Sequence, residues 1–176
     1  TVDPSSVTGF GTFLINKGEL NIDQNVNLDN PNDAYNSSVF TSSKITLASG
    51  ITMTGTLNDQ KAIAQKNFLG GVRSDIVLDN AGGTINISGD SSVGIVADYG
   101  EISNSGTMTI SGDKSIALLG ANGSIIENRG TININSTGVG MDGANLLGAT
   151  VPAYGDKKIE IINDGIITLS ATTGRS

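Results

Sequence analysis

Apolar and polar residues alternate along this chain in short runs, and clusters of Gly, Asn, Asp and Ser break the alternation. Period-two alternation rich in β-branched residues predicts strands with one buried face, and the clusters predict turns. The runs repeat. A unit of apolar residue, variable residue, Asn-x-Gly and alternating strand reads Ile102-Ser103-Asn104-Ser105-Gly106-Thr107-Met108-Thr109-Ile110. It returns at Ile126 to Ile134 and at Ile161 to Leu169, and a like unit spans Leu14 to Ile22. Two copies are degenerate: Asn80-Ala81-Gly82 carries an extra Gly83, and Ala48-Ser49-Gly50 lacks the Asn, its alignment open by one residue.

Gly18, Gly50, Gly82, Gly106, Gly130 and Gly165 are spaced by 32, 32, 24, 24 and 35 residues. Fuller units add another apolar stretch, as at Val93–Val96, Ile116–Leu119 and Val139–Met141. A fixed period of this length marks a stacked architecture. Three strands per turn, about 24 residues, without a hairpin between neighbours, predict an all-β, right-handed parallel β-helix. The only competing helix is a short one over Asp59 to Leu69. Asn and Gly both tolerate the left-handed backbone of a tight corner, and stacked Asn amides bond to one another as a ladder. Asn16, Asn80, Asn104, Asn128 and Asn163 are therefore predicted to hold corners.

Length and composition narrow the picture. The 176 residues suit a single unit, 1–176. The last residues fall just before another strand is due, so a piece of a longer rod is expected. Gly, at 24 residues, is about twice its usual share, but with 3 Pro and 37% hydrophobic residues the chain should fold. With no His and no Cys, thiol catalysis, Ser-His chemistry, disulfides and ordinary zinc sites are excluded. The net charge of −7, without a basic stripe, argues against nucleic acid as a partner. No apolar run approaches a membrane span, and residues 1 to 30 show no signal-peptide pattern.

Candidate function follows repeat length. The extra residues of the long units fall at about 29–44, 56–75 and 142–158, all after the third strand. Insertions into a solenoid project from one face, often the binding face. Five of the chain's aromatics, Tyr35, Phe40, Phe68, Tyr99 and Tyr154, lie in these corner segments, leaving Phe10 and Phe13 elsewhere. Tyrosine suits protein hot spots and sugar rings alike, although such rings equally anchor their own loops. Lys61, Lys66, Arg73, Lys157 and Lys158 make the same corner less acidic than the whole.

Other motifs carry less. Gly138 to Gly143 spells G-x-G-x-x-G, but without the βαβ unit a dinucleotide site needs. Asp29 to Asp33 reads as a turn rather than a calcium loop, and no metal or cofactor is expected. Asn36, Asn86 and Asn135 open glycosylation triplets of a kind common by chance in such a composition. Asp90 and Asp113 recur at matching points of adjacent rungs and would place two carboxylates about 5 Å apart, as in a retaining glycosidase. Gly-Asp before Ser is also ordinary turn chemistry.

The cycle Asn-x-Gly-x-Ile-x-Ile, Gly-Asp-x-Ser, Val-Gly-Ile resembles passenger-domain repeats of bacterial type V autotransporters, especially the very large fusobacterial adhesins. The resemblance covers most of 76–141 and 159–176 and weakens before 76; the absent Asn at Ala48 and the long insertions depart from it. It implies export by a signal peptide and an outer-membrane barrel, a place on the bacterial surface, and attachment to host or bacterial cells. The partner would be a surface protein or glycan, and the segment a monomeric, non-enzymatic rod that does not itself insert into membrane. Zero Cys suits a chain that crosses the periplasm unfolded. The alternatives are a spacer that displays another binding domain, or a polysaccharide-degrading β-helix.

Overall fold

The structure, a computed structural model, describes residues 19–29, 44–64, 77–144 and 158–170. These form sixteen strands and, among the described residues, no helix. The first sheet stacks β1 (Glu19–Ile22), β3 (Lys44–Leu47), β6 (Val77–Asn80), β9 (Glu101–Asn104), β12 (Ile125–Asn128) and β15 (Glu160–Asn163) in that order. The second stacks β2 (Val26–Asn27), β4 (Thr52–Gly55), β7 (Thr84–Ile87), β10 (Thr107–Ile110), β13 (Thr131–Ile134) and β16 (Ile166–Leu169). The third holds β5 (Lys61–Ala64), β8 (Val93–Asp98), β11 (Ile116–Ala121) and β14 (Val139–Ala144). Each strand pairs in parallel with the corresponding strand of the next turn, for example Met108 with Ile85 on one side and Ile132 on the other. The chain is a parallel β-helix.

Every second residue points into the rod, so in-register stacking converts the repeat into buried columns. One column runs Leu20, Ile45, Leu78, Ile102 and Ile126, and another Met53, Ile85, Met108 and Ile132, all buried. Burying each such side chain contributes roughly 1.5–3 kcal/mol. Gly55 interrupts a third column of Ile87, Ile110 and Ile134. Gln60 fills the vacated space: a Cβ added at Gly55 would collide with Gln60 Oε1. Its Nε2 donates to Leu28 O at 3.0 Å and to Asp29 Oδ1 at 2.8 Å, while Oε1 has no partner among the described residues.

The asparagines form a chain of amides. Asn80 Nδ2 donates to Asn104 Oδ1 at 2.7 Å, Asn104 Nδ2 to Asn128 Oδ1 at 2.8 Å, and Asn128 Nδ2 to Asn163 Oδ1 at 2.7 Å. Each of the last three also turns an amide hydrogen toward the carbonyl of the glycine two residues on, at 3.3–3.4 Å. Asn16 lies outside the described residues.

Three readings of the sequence need correction, and one open alignment is settled. The strand after Gly18, aligned there with Thr107–Ile110, belongs instead to the first sheet, where Glu19 pairs with Lys44 and Ile22 with Leu47. The alignment left open by one residue at Ala48 is settled by pairing: Leu47 occupies the Asn80 column one turn earlier. Gly82 is the extra residue of its turn and Gly83 the column member, since Thr107 N donates to Gly83 O as Thr131 N does to Gly106 O. The Asp59 to Leu69 segment contains strand β5 rather than the start of a helix.

The role expected of glycine also changes. Positive φ occurs at Gly50 and Gly82, but not at Gly106, Gly130 or Gly165. There the constraint is close approach: a Cβ at Gly106 would strike Gly83 O, one at Gly130 would strike Gly106 O, and one at Gly165 would strike Gly130 O. Left-handed residues other than glycine stack instead at the turn into the third sheet, at Asp59, Ser91 and Lys114, and at the corner after it, at Tyr99 and Asn122.

Asn104→Ala orphans a buried donor on Asn80 and an acceptor on Asn128, and is expected to cost roughly 2–4 kcal/mol of folding stability. Asn80→Leu, at the ladder's end and matched to Leu47 below it, should cost clearly less. Urea denaturation checks this order, and equal losses would contradict it.

Candidate functional site

The corner from the third sheet back to the first takes a short and a long form. In its short form β8 runs through Tyr99 and Gly100 into β9; in the next turn β11 runs through Asn122, Gly123 and Ser124 into β12. In its long form Ala64 and Val77 bound the segment 65–76, and Ala144 and Lys158 bound 145–157. Both long segments therefore leave and rejoin the rod at the corner that Tyr99 occupies.

Local chemistry explains the short form. Tyr99 and Asn122 adopt left-handed φ of 71° and 52°, and Gly123 follows at 92°. Asn and Gly favour that region, whereas Tyr is there against its preference. The buried hydroxyl of Ser124 compensates by accepting from Tyr99 N at 3.0 Å and Gly100 N at 3.1 Å while donating to Ala121 O at 2.6 Å. Tyr99 is only 7% exposed, so a partner at this corner would meet little of its side chain. Tyr35, Phe40, Phe68 and Tyr154 lie outside the described residues.

The insertion boundaries move. Residues 56–64 belong to the regular coil, with Lys61 opening β5 opposite Val93, and Asp142 to Ala144 belong to β14. Lys44 opens β3. Lys158 is exposed at the corner, while Lys66, Arg73 and Lys157 lie outside the described residues.

Asp90 and Asp113 stack as the sequence suggests, but each carboxylate holds the turn above it. Asp90 Oδ1 accepts from Asp113 N at 2.8 Å, and Asp113 Oδ1 accepts from Thr137 N at 3.3 Å and Thr137 Oγ1 at 3.1 Å. Asn58 serves Asp90 N in the same way at 2.9 Å. This is a ladder of side-chain caps on an exposed turn. Among the described residues no group of three or more acidic, His or Cys side chains gathers to hold a metal ion.

Asp29 is the most heavily bonded carboxylate described. Burial pushes its pKa upward, but hydrogen bonds from Thr56 N and Oγ1, Gln60 Nε2 and Leu57 N outweigh this and hold the carboxyl below its ordinary value. What sequence reasoning passed over is the outward face of the second sheet, where Thr-x-Thr and Thr-x-Asn recur in register; strand alternation alone accounts for polar residues there, so the repeat drew no notice. No protein-family model, curated protein or solved structure matches the chain.

A depressed carboxyl stabilises the fold above its unfolded value, and that stability is lost as pH falls through the folded value. Urea midpoints measured below about pH 4 should therefore fall less steeply with acid in Asp29→Asn than in the native chain. Identical slopes would contradict the role of Asp29.

Proposed function

We propose that this chain is part of a bacterial cell-surface adhesin, a non-enzymatic β-helical rod whose corner segments meet a surface protein or glycan on host or bacterial cells. The observation that carries the reading is topological: 65–76 and 145–157 both emerge where the third sheet returns to the first. The rod fixes where they emerge, so successive insertions act as one surface. Phe68 and Tyr154 belong to these segments. The resemblance of the repeat to autotransporter passengers supports surface display after export through the outer membrane, and the absence of Cys agrees with such a route.

A spacer role is the second reading, favoured by the burial of Tyr99. Catalysis has less support: both members of the best carboxylate pair cap turns, and the chain has no His. Replacing 65–76 and 145–157 with short corners of the Tyr99–Gly100 type separates the first two. The adhesin reading expects the labelled variant to keep its urea midpoint and lose binding to cultured cells. Unchanged binding would make this stretch a spacer.

A further inference from the structure

The outward side of the second sheet is built differently from the rest of the surface. Thr107 stands between Thr84 and Thr131, and Thr109 between Asn86 and Asn133, each in register with its neighbours. Thr52 and Thr54 extend the two columns on one side, and Thr168 extends one on the other; Ile166 is the only departure in these strands. Rungs lie about 4.8 Å apart and alternate residues of a strand about 6.6 Å apart, so the hydroxyls and amides form a two-dimensional lattice. The four central threonines are β-branched and half-buried between neighbours, which limits their rotamers.

Two further observations single out this face. First, no charged residue occupies either column from Thr52 to Thr168, although the chain carries −7 and the first sheet turns Glu19, Lys44, Asp79, Glu101 and Glu127 outward. Second, the side chains of Thr84, Asn86, Thr107, Thr109, Thr131 and Asn133 make no hydrogen bond to any described residue. Polar side chains at the turns are engaged, as Ser92, Ser115, Ser124, Asn104 and Asp113 all show. Ladders within the rod therefore do not account for this face.

We propose that it binds an uncharged, extended polysaccharide lying along the rod. A repeating lattice gains most from a partner that repeats as well, and a folded protein surface does not. A sugar chain presents hydroxyls that match both the donors and the acceptors of Thr and Asn. Its C–H faces can rest on the threonine methyls, and its step per residue is comparable to one rung. Each hydrogen bond displaces water and contributes little by itself, so affinity must come from many rungs at once. Neutrality fits the partner's charge: an anionic polymer would meet no counter-charge here and would be repelled by the rod as a whole. This surface is separate from the corner and does not depend on it.

The test is co-sedimentation of the full chain with insoluble cellulose, chitin and β-1,3-glucan, with heparin-coated beads as the anionic probe. The native chain should sediment with at least one neutral glycan, and high salt should not release it. Thr84→Val, Thr107→Val and Thr131→Val together remove one column of hydroxyls while keeping shape and strand preference, and should weaken retention by about tenfold or more. A second variant, Thr107→Glu with Thr109→Glu, should abolish it, while Thr46→Glu on the first sheet should leave it unchanged; urea midpoints verify folding of each. Failure to bind every neutral glycan, full retention by the valine variant, or binding only to heparin would overturn the proposal. Inhibition of ice recrystallisation without glycan binding would also overturn it, assigning the lattice to ordered water.

Discussion

Each turn of this protein must accept, position by position, what the previous turn places beneath it. Parallel strands in register bring backbones together at every rung, and at the corner between the first and second sheets they come so close that Gly106, Gly130 and Gly165 have no room for a side chain. The same closeness puts Asn80, Asn104, Asn128 and Asn163 within hydrogen-bond reach of their neighbours in the column across sequence separations of 24, 24 and 35. Because each Nδ2 donates toward the later turn, the ladder has a direction, and Asn80 Oδ1 at its beginning is buried without a partner among the described residues. Leu47 occupies that column below it, so the amide chain ends against hydrocarbon. Gly55 and Gln60 follow the same rule: when one column gives up its side chain, a neighbouring column fills the gap.

The repeat made the fold legible, and its strongest copies also gave the correct strands at Thr107–Ile110 and Thr131–Ile134, while the apolar stretch Ile116–Leu119 falls two residues short of the end of β11. The first copy misled because Asn-x-Gly is a local signal, whereas sheet membership is decided by pairing across turns. Asn16-Lys17-Gly18 looks like Asn104-Ser105-Gly106, yet the strand after it pairs as Glu101–Asn104 does. The explanation for glycine failed for a related reason: propensity suggested left-handed corners, while packing between turns imposes the stronger demand. Insertion limits were misplaced by several residues at 56–64 because Lys61-Ala62-Ile63-Ala64 lacks the Val-Gly-Ile spelling of its counterparts. For the candidate corner, sequence located two branch points, after Ala64 and after Ala144, but among the described residues the 29–44 insertion follows β2 of the second sheet rather than a third strand, and sequence could not show that Tyr99 is buried.

Function in such a rod is a question of which outward surfaces remain unengaged once the ladders are formed. Interior asparagines, turn aspartates and turn serines all serve the next rung. Two outward features stand out among the described residues. One is the corner where long segments emerge; the other is a neutral, regularly spaced face on an otherwise acidic molecule. The two proposals differ accordingly, since inserted segments of unique sequence suit a unique partner and a lattice suits a repeating one.

Cross-turn stacking is the central claim, and nuclear Overhauser contacts in the folded chain test it most directly. Stacking predicts contacts between the side-chain amides of Asn80 and Asn104 and of Asn104 and Asn128, together with side-chain contacts of Met108 to both Ile85 and Ile132. Contacts that instead pair Glu101 with Thr109, as in a hairpin closed across Asn104–Gly106, would contradict it.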